Sequence, residues 1–122
     1  MRTDITHHLP PVIARHVAAY GAHDLEAFMA TLAPDALLND NRREFLGHDA
    51  IRAWADKEIF GDNVTAKVER ALDQYGDIIV HARVDGDYDK TGLPDPLVLT
   101  FYFSLRNEVI TQLIITLNTA VA

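Results

Sequence analysis

The sequence contains no cysteine, and this absence excludes several kinds of chemistry. Disulfide bonds, thiolate nucleophiles and cysteine-based zinc sites all need a thiol that the chain does not have. Serine is nearly as scarce, because Ser104 is the only one and it lies outside any G-x-S-x-G motif. A serine hydrolase is therefore not expected.

Positive charge is also in short supply. The chain has 11 Lys and Arg residues against 18 Asp and Glu residues, which gives a formal net charge of -7. Nucleic acids and anionic membrane surfaces attract proteins through clustered positive charge, so neither is an expected partner. The apolar runs are far shorter than the roughly 20 residues that span a bilayer, and the N-terminus lacks the apolar stretch of a signal peptide. We expect a cytoplasmic protein with no membrane partner.

Patterns that bind metals or cofactors are absent or incomplete. In the segment DGDYDKTG, three aspartates alternate like the start of a calcium loop. However, Lys90 stands where that loop needs glycine, and Pro96 stands where it needs a bidentate glutamate. The six histidines form no HExxH motif, and no glycine-rich phosphate loop is present. We expect no metal and no cofactor.

Length and composition fit a single domain over 1–122, because 48% of the 122 residues are hydrophobic. Apolar residues recur with helical spacing in the first half of the chain. This spacing predicts helices over 9–20 and 25–32, and a third helix whose buried face carries Ile51, Trp54, Ala55 and Ile59. The residues around His7 and His8 are expected to fray.

A two-residue alternation between apolar and polar side chains takes over from Val64 onward. It predicts a strand there and further strands over 77–85, 97–106 and 109–117, after two short strands at 36–40 and 43–46. The last two strands are apolar on both faces, whereas a sheet needs only one apolar face against its helices. We therefore expect a homodimer through the face that carries Phe101 and Phe103. The alternative is a larger internal core.

This order of elements resembles the nuclear transport factor 2-like superfamily. The amino-acid sequence is similar to that of its SnoaL-like group over three segments, ARHVAAYGAHDLEAFMATLAPDALLND, FLGHDAIRAW and LVLTFYFSLRNEVITQLIITL. The resemblance implies an α+β fold in which three N-terminal helices pack on a curved, mainly antiparallel sheet around a cone-shaped pocket. It says less about activity, because the superfamily includes isomerases, dehydratases, cyclases, epoxide hydrolases and non-catalytic binders.

Ketosteroid isomerase is the catalytic relative used for comparison. Aligned without gaps, Asp40 falls at the position of that enzyme's proton-abstracting aspartate. The two oxyanion donors do not carry over, because the tyrosine position holds His16 and the second acid position holds Thr100. Steroid isomerisation is therefore not expected, since the enolate would lack its paired donors.

The resemblance leads to a hypothesis of acid and base catalysis on a small, largely apolar carbonyl compound. Asp40 is the predicted base, and His16 is the predicted acid or orienting group. The predicted ligand-binding residues are Tyr20, Trp54, Glu58, Thr100, Tyr102, Leu113 and Leu117. The reaction would be of the isomerase, dehydratase or cyclase type and would need no cofactor.

Structural roles compete with each of these assignments. His16 could be a core histidine bonded to a backbone carbonyl, and Asp40 could be a turn residue between two asparagines. Trp54 could belong to the core, and Glu58 could lie on a solvated helix face or pair with an arginine. Under this alternative the chain is a non-catalytic ligand-binding or dimerisation module, whose interior is filled by Leu113, Leu117 and Trp54.

Overall fold

The structure is a computed structural model that describes residues 2–117. The helices are α1 (Pro11–Ala22), α2 (Leu25–Ala30) and α3 (Gly47–Ala55), and α3 continues into the π-helical segment Asp56–Phe60. The strands are β1 (Arg2–Asp4), β2 (Leu32–Asp40), β3 (Arg43–Leu46), β4 (Thr65–Gln74), β5 (Asp77–Asp85), β6 (Leu97–Arg106) and β7 (Val109–Leu117). They form one sheet in the order β1-β4-β5-β6-β7-β2-β3, in which only the β2 and β7 pair is parallel. The predicted class, three helices on a mainly antiparallel sheet, is confirmed.

The two faces of β6 have opposite roles, and this corrects the predicted dimer surface. Phe101 and Phe103 are 4% and 1% exposed, because they point toward the helices. The ring of Phe103 lies edge-on to His16 of α1, with the ring centroids 5.4 Å apart. These phenylalanines are core residues, so a second copy of the chain cannot reach them. The face of β6 that carries them therefore belongs to the internal core, which was the alternative to a dimer interface.

The N-terminal residues form a strand that the sequence did not indicate. β1 pairs antiparallel with β4, and the chain stays attached beyond it because Ile5 donates its backbone N–H to Ala71 at 2.9 Å. With three residues, β1 is too short for an apolar alternation to show. The strand therefore lies where fraying was expected.

β2 begins at Leu32, earlier than predicted, and it contains Pro34. Proline interrupts a regular ladder because it has no N–H to donate. Here the pairing of β2 with β7 shifts register between Leu32 and Leu37, which accommodates the proline at an irregularity. Among residues 2–117, no helix combines the length and the apolar character needed to cross a membrane.

Candidate functional site

A cavity of about 460 Å³ lies between the helices and the inner face of the sheet. This volume falls within the range of roughly 300 to 1,000 Å³ that small-molecule sites occupy. Its apolar and aromatic lining consists of Tyr20, Trp54, Ile59, Val64, Val84, Tyr88, Leu93, Leu97, Leu99, Phe101 and Ile115. Its polar lining consists of Asp40, Asn41, Arg43, Glu58 and Asp62. Mostly apolar walls with a few polar groups are typical of a site for a small organic molecule.

A tight turn between β2 and β3 brings Asp40 and Arg43 together. The two central residues, Asn41 and Arg42, have φ angles of 49° and 78°, and a two-residue type I′ hairpin turn needs positive φ at both of these positions. Asn39 stabilises the turn, because its Oδ1 accepts a hydrogen bond from the Arg42 backbone N–H at 2.8 Å. Asp40 and Arg43 are therefore cross-strand partners, and their side chains share one face.

α3 supplies the next contact with Asp40. Trp54 is 4% exposed, and its indole Nε1–H donates to Asp40 Oδ2 at 3.1 Å. Arg43 Nη2 donates to the same oxygen at 2.5 Å. Among residues 2–117, no group donates to the other oxygen, Oδ1. One oxygen of the carboxylate is thus fixed in place, and the other keeps its lone pairs free.

Glu58, in the π-helical segment, holds Arg43 from the opposite side. Both guanidinium nitrogens donate to its carboxylate, Nη1 at 2.9 Å and Nη2 at 2.7 Å. These bonds raise the pKa of Arg43, first through Glu58 and then, against the cost of burial, through Asp40. Arg43 therefore carries its charge at neutral pH, and its fork is aimed mainly at Glu58. Glu58 thus lines the cavity and also pairs with an arginine, and its predicted role in ligand binding stays a prediction.

Tyr20 of α1 contributes a hydroxyl that has no partner in the described part of the chain. The residue is 2% exposed and lines the cavity. Burial, followed by the nearby negative charge of Asp40, raises the pKa of the phenol. The hydroxyl therefore keeps its proton, a donor that no acceptor among residues 2–117 uses.

His16 does not line this cavity, and the structure corrects its predicted pairing with Asp40. Its ring is 1% exposed and packs between Tyr20, Phe28 and Phe103, beside a void of about 10 Å³. Burial lowers the pKa of His16 to about 3, so the ring is neutral at pH 7 and is not the charged imidazolium that would act as a general acid.

The tautomer of His16 follows from its hydrogen bonds. The Thr31 hydroxyl donates its single hydrogen to the carbonyl of Phe28 at 2.7 Å, so toward His16 it can act only as an acceptor. His16 Nδ1–H therefore donates to Thr31 Oγ1 at 2.9 Å. This leaves Nε2 as a bare acceptor with no partner among the described residues. The histidine links α1 to the end of α2, which is a structural role.

Thr100 and Tyr102 lie on the outer face of β6, so the structure corrects their placement as well. Thr100 is paired with His81 of β5, whose Nδ1 lies 3.1 Å from its hydroxyl. Tyr102 is 43% exposed. Leu113 is fully buried in the core beside Leu38, away from the cavity lining. Leu117 borders a smaller void of about 130 Å³ that shares Asp40 and Leu99 with the main cavity.

Three of the lining residues that the sequence analysis did not single out lie in loops. Asp62 follows the π-helical segment, while Tyr88 and Leu93 belong to the connection between β5 and β6. No periodic pattern covers these loops, so no sequence signal could have placed them. The signal for Phe101 was present but was assigned to the wrong face. Its alternate neighbours Thr100, Tyr102 and Ser104 are polar, which marks their side of the strand as the outer one.

Known structures share this architecture. A crystal structure of a candidate polyketide cyclase from Sinorhizobium meliloti is 26% identical, with a TM-score of 0.78 over 91% of this chain and 98% of that one. A Mycobacterium tuberculosis protein in complex with estradiol-17beta-hemisuccinate is 17% identical, with a TM-score of 0.72 over 88% and 91%. A Catenulispora acidiphila protein with a ketosteroid isomerase-like fold, in complex with trimethylamine, is 20% identical, with a TM-score of 0.71 over 88% and 85%. The last two show the fold alone.

No functionally curated protein matches the sequence. The SnoaL-like domain, by contrast, matches residues 13–113, which include all three helices but for the first two residues of α1, strands β2 to β6, and β7 as far as Leu113. This match covers most of the chain and agrees with the resemblance read from the sequence. The chain belongs to the SnoaL-like domain family.

Proposed function

We propose that the chain binds a small, largely apolar carbonyl compound in the cavity and moves a proton on the carbon next to the carbonyl group. Asp40 acts as the base, and the Tyr20 hydroxyl donates a hydrogen bond to the carbonyl oxygen. The observation that carries the proposal is the presence of an unpaired carboxylate oxygen and an unpaired buried hydroxyl on one apolar cavity. No cofactor is needed for this step.

Each polar group has a separate role in the proposed reaction. Trp54 and Arg43 fix Asp40 through Oδ2, so that Oδ1 is the oxygen available to accept the proton. When the α C–H bond breaks, its electron pair moves toward the carbonyl oxygen, where negative charge accumulates. A protonated Tyr20 hydroxyl stabilises that charge more in the transition state than in the ground state, which is the requirement for catalysis. Asp40 then returns the proton to the same carbon or to another.

The apolar walls of the cavity strengthen the interactions of these polar groups with a ligand. Trp54, Phe101 and Ile115 exclude bulk water from the space around the two polar groups. Electrostatic interactions are stronger in such surroundings than in water. Relatives of similar fold include a candidate polyketide cyclase and proteins solved with small organic ligands, which agrees with a small-molecule site.

The test is exchange of the α-protons of para-ethylacetophenone in D₂O, followed by proton NMR. We expect exchange above the buffer rate with the wild-type chain and a loss of about 10² to 10⁴-fold in Asp40→Asn, the range typical of a general base. Tyr20→Phe should also slow exchange. Asp77→Asn is the matched control, because it removes the same charge from the exposed far end of β5. Binding of the ketone without exchange would refute catalysis and leave the alternative, a non-catalytic ligand-binding module.

We also propose a homodimer, now through the outer face of the sheet. Ile79, Tyr102 and Ile114 are direct cross-strand neighbours and form a continuous apolar row over β5 to β7. Tyr102 in this row is 43% exposed, which is unusual for a large aromatic side chain between apolar neighbours. Sedimentation at micromolar concentration should give a dimer for the wild type and a monomer for Tyr102→Lys. A monomeric wild type would refute the proposal.

A further inference from the structure

We infer that the cavity selects its ligand by charge: it takes a carbonyl compound that also carries a protonated amine, and it disfavours carboxylates. This inference rests on the proposed function, because the carbonyl group is taken to bind at Tyr20 and Asp40. It adds the chemical class of the rest of the ligand.

The first support is the charge balance of the lining. Asp40, Glu58 and Asp62 are carboxylates, and Arg43 is the only cationic residue among the lining residues in the described part of the chain. The net charge is therefore -2. Arg43 is already bonded to two of the three carboxylates, so its charge is not available to an incoming anion. An anionic ligand would meet repulsion that no lining residue compensates.

Asp62 is the carboxylate that remains without compensation. Its backbone is held in place, because its carbonyl accepts a hydrogen bond from the Asp87 N–H at 2.7 Å. Its side chain accepts no hydrogen bond and forms no ion pair with any group in residues 2–117. It is half-buried at the cavity wall, so solvent does not fully screen it. A cation is the ligand group that this position favours.

The second support is independent of the acidic groups. The Tyr20 hydroxyl is a buried donor with no partner, and leaving such a group unpaired is unfavourable. A ligand oxygen at that point would satisfy it. Tyr20 is 2% exposed, whereas Leu93 on the same cavity is 37% exposed, so these residues mark its deep and open ends. The carbonyl oxygen therefore lies deep, and the charged end of the ligand lies toward the opening, where Asp62 and Glu58 are only partly buried.

The experiment compares three acetophenones that differ only in the para substituent, which is aminomethyl, ethyl or carboxymethyl. The first two are nearly equal in shape and differ by one positive charge at pH 7. Binding is followed through the indole N–H resonance of Trp54, the only tryptophan in the chain and a lining residue of the cavity. We expect the amine to bind about fivefold more tightly than the ethyl compound, and the carboxylate to bind more weakly than both.

Asp62→Asn should reduce the ratio of the two dissociation constants to about one, because it removes the unpaired charge. Asp77→Asn should leave the ratio unchanged, since its side chain lies about 23 Å along β5 from the cavity-lining Val84. The wild-type ratio should also rise when salt is lowered, as a partly exposed charge interaction requires.

Either of two results with the wild type would overturn the inference: failure of the amine to bind, or equal dissociation constants for the amine and the ethyl compound. A ratio that persists in Asp62→Asn would overturn it as well. Failure of the proposed catalysis has a different signature, because the charge preference would then hold while no ketone exchanged its α-protons. If the ethyl compound exchanged its α-protons and the amine did not bind more tightly than the ethyl compound, this inference would be refuted and the proposed function would stand.

Discussion

Acid should unfold this protein through His16, and the size of the effect can be worked out from its burial. The ordinary pKa of 6.5 falls to about 3 in the folded chain, because the ring is enclosed by aromatic side chains. Between these two pH values, His16 therefore binds a proton in the unfolded chain but not in the folded chain. A group whose pKa is lowered by folding favours the folded state above the unfolded value, so stability is lost as pH falls from about 6.5 toward about 3.

The full difference corresponds to about 5 kcal/mol, of which about 3 kcal/mol is lost between pH 7.5 and pH 4.5. Urea unfolding at several pH values would measure this loss in the free energy of unfolding. His16→Leu should be less stable at pH 7.5, because Thr31 loses its donor, but its acid dependence should be weaker by about 3 kcal/mol. His8→Gln, at an exposed position, should keep the wild-type dependence. An equal acid dependence in His16→Leu and the wild type would refute the reasoning.

Two further predictions concern the local signals that position the site. Asp24→Ala removes the side chain that accepts from the Ala27 N–H at 2.9 Å at the start of α2, and should lower the free energy of unfolding by about 1 kcal/mol in urea titrations. An unchanged midpoint would show that the cap contributes nothing. Arg42→Gly should leave stability unchanged or raise it by up to about 1 kcal/mol in thermal unfolding, since φ is 78° there and glycine adopts that angle without strain. A large loss would mean that the Arg42 side chain has a structural role.

The fold followed from the sequence wherever a pattern was long enough to be read. Helices α1 and α3 carry clear apolar stripes, and β5, β6 and β7 occur at the predicted bounds because each is a run of nine or ten residues rich in apolar and β-branched side chains, with turn residues before and after it. β1 could not be found, because three residues cannot display a period. The start of β2 was missed because the helical spacing of α2 was extended to Leu32, whereas the chain enters the strand at that residue and an irregular register there tolerates Pro34.

The candidate site was predicted less completely, and each failure has a physical cause. Asp40 and Trp54 were found because a turn motif and a helical stripe are local signals. His16 was misjudged because one helical face serves both core and cavity, and which of them a given turn meets is decided by the strands packed on it. Phe101 and Tyr102 were interchanged because both faces of β6 contain aromatic residues. Asp62 lies in a loop whose path depends on its contact with Asp87, which is 25 residues further along the chain.

Glu58 determines how Arg43 binds Asp40, the proposed base. A guanidinium fork fits a carboxylate best when two parallel N–H groups donate to its two oxygens. Arg43 and Asp40 face each other across the hairpin, so without competition Arg43 could bind both oxygens of Asp40 in this way. Glu58 takes that arrangement instead, which leaves Asp40 with a single bond from Nη2. The free oxygen of Asp40 therefore depends on a carboxylate from a different element, one helical turn beyond the tryptophan that holds the other oxygen.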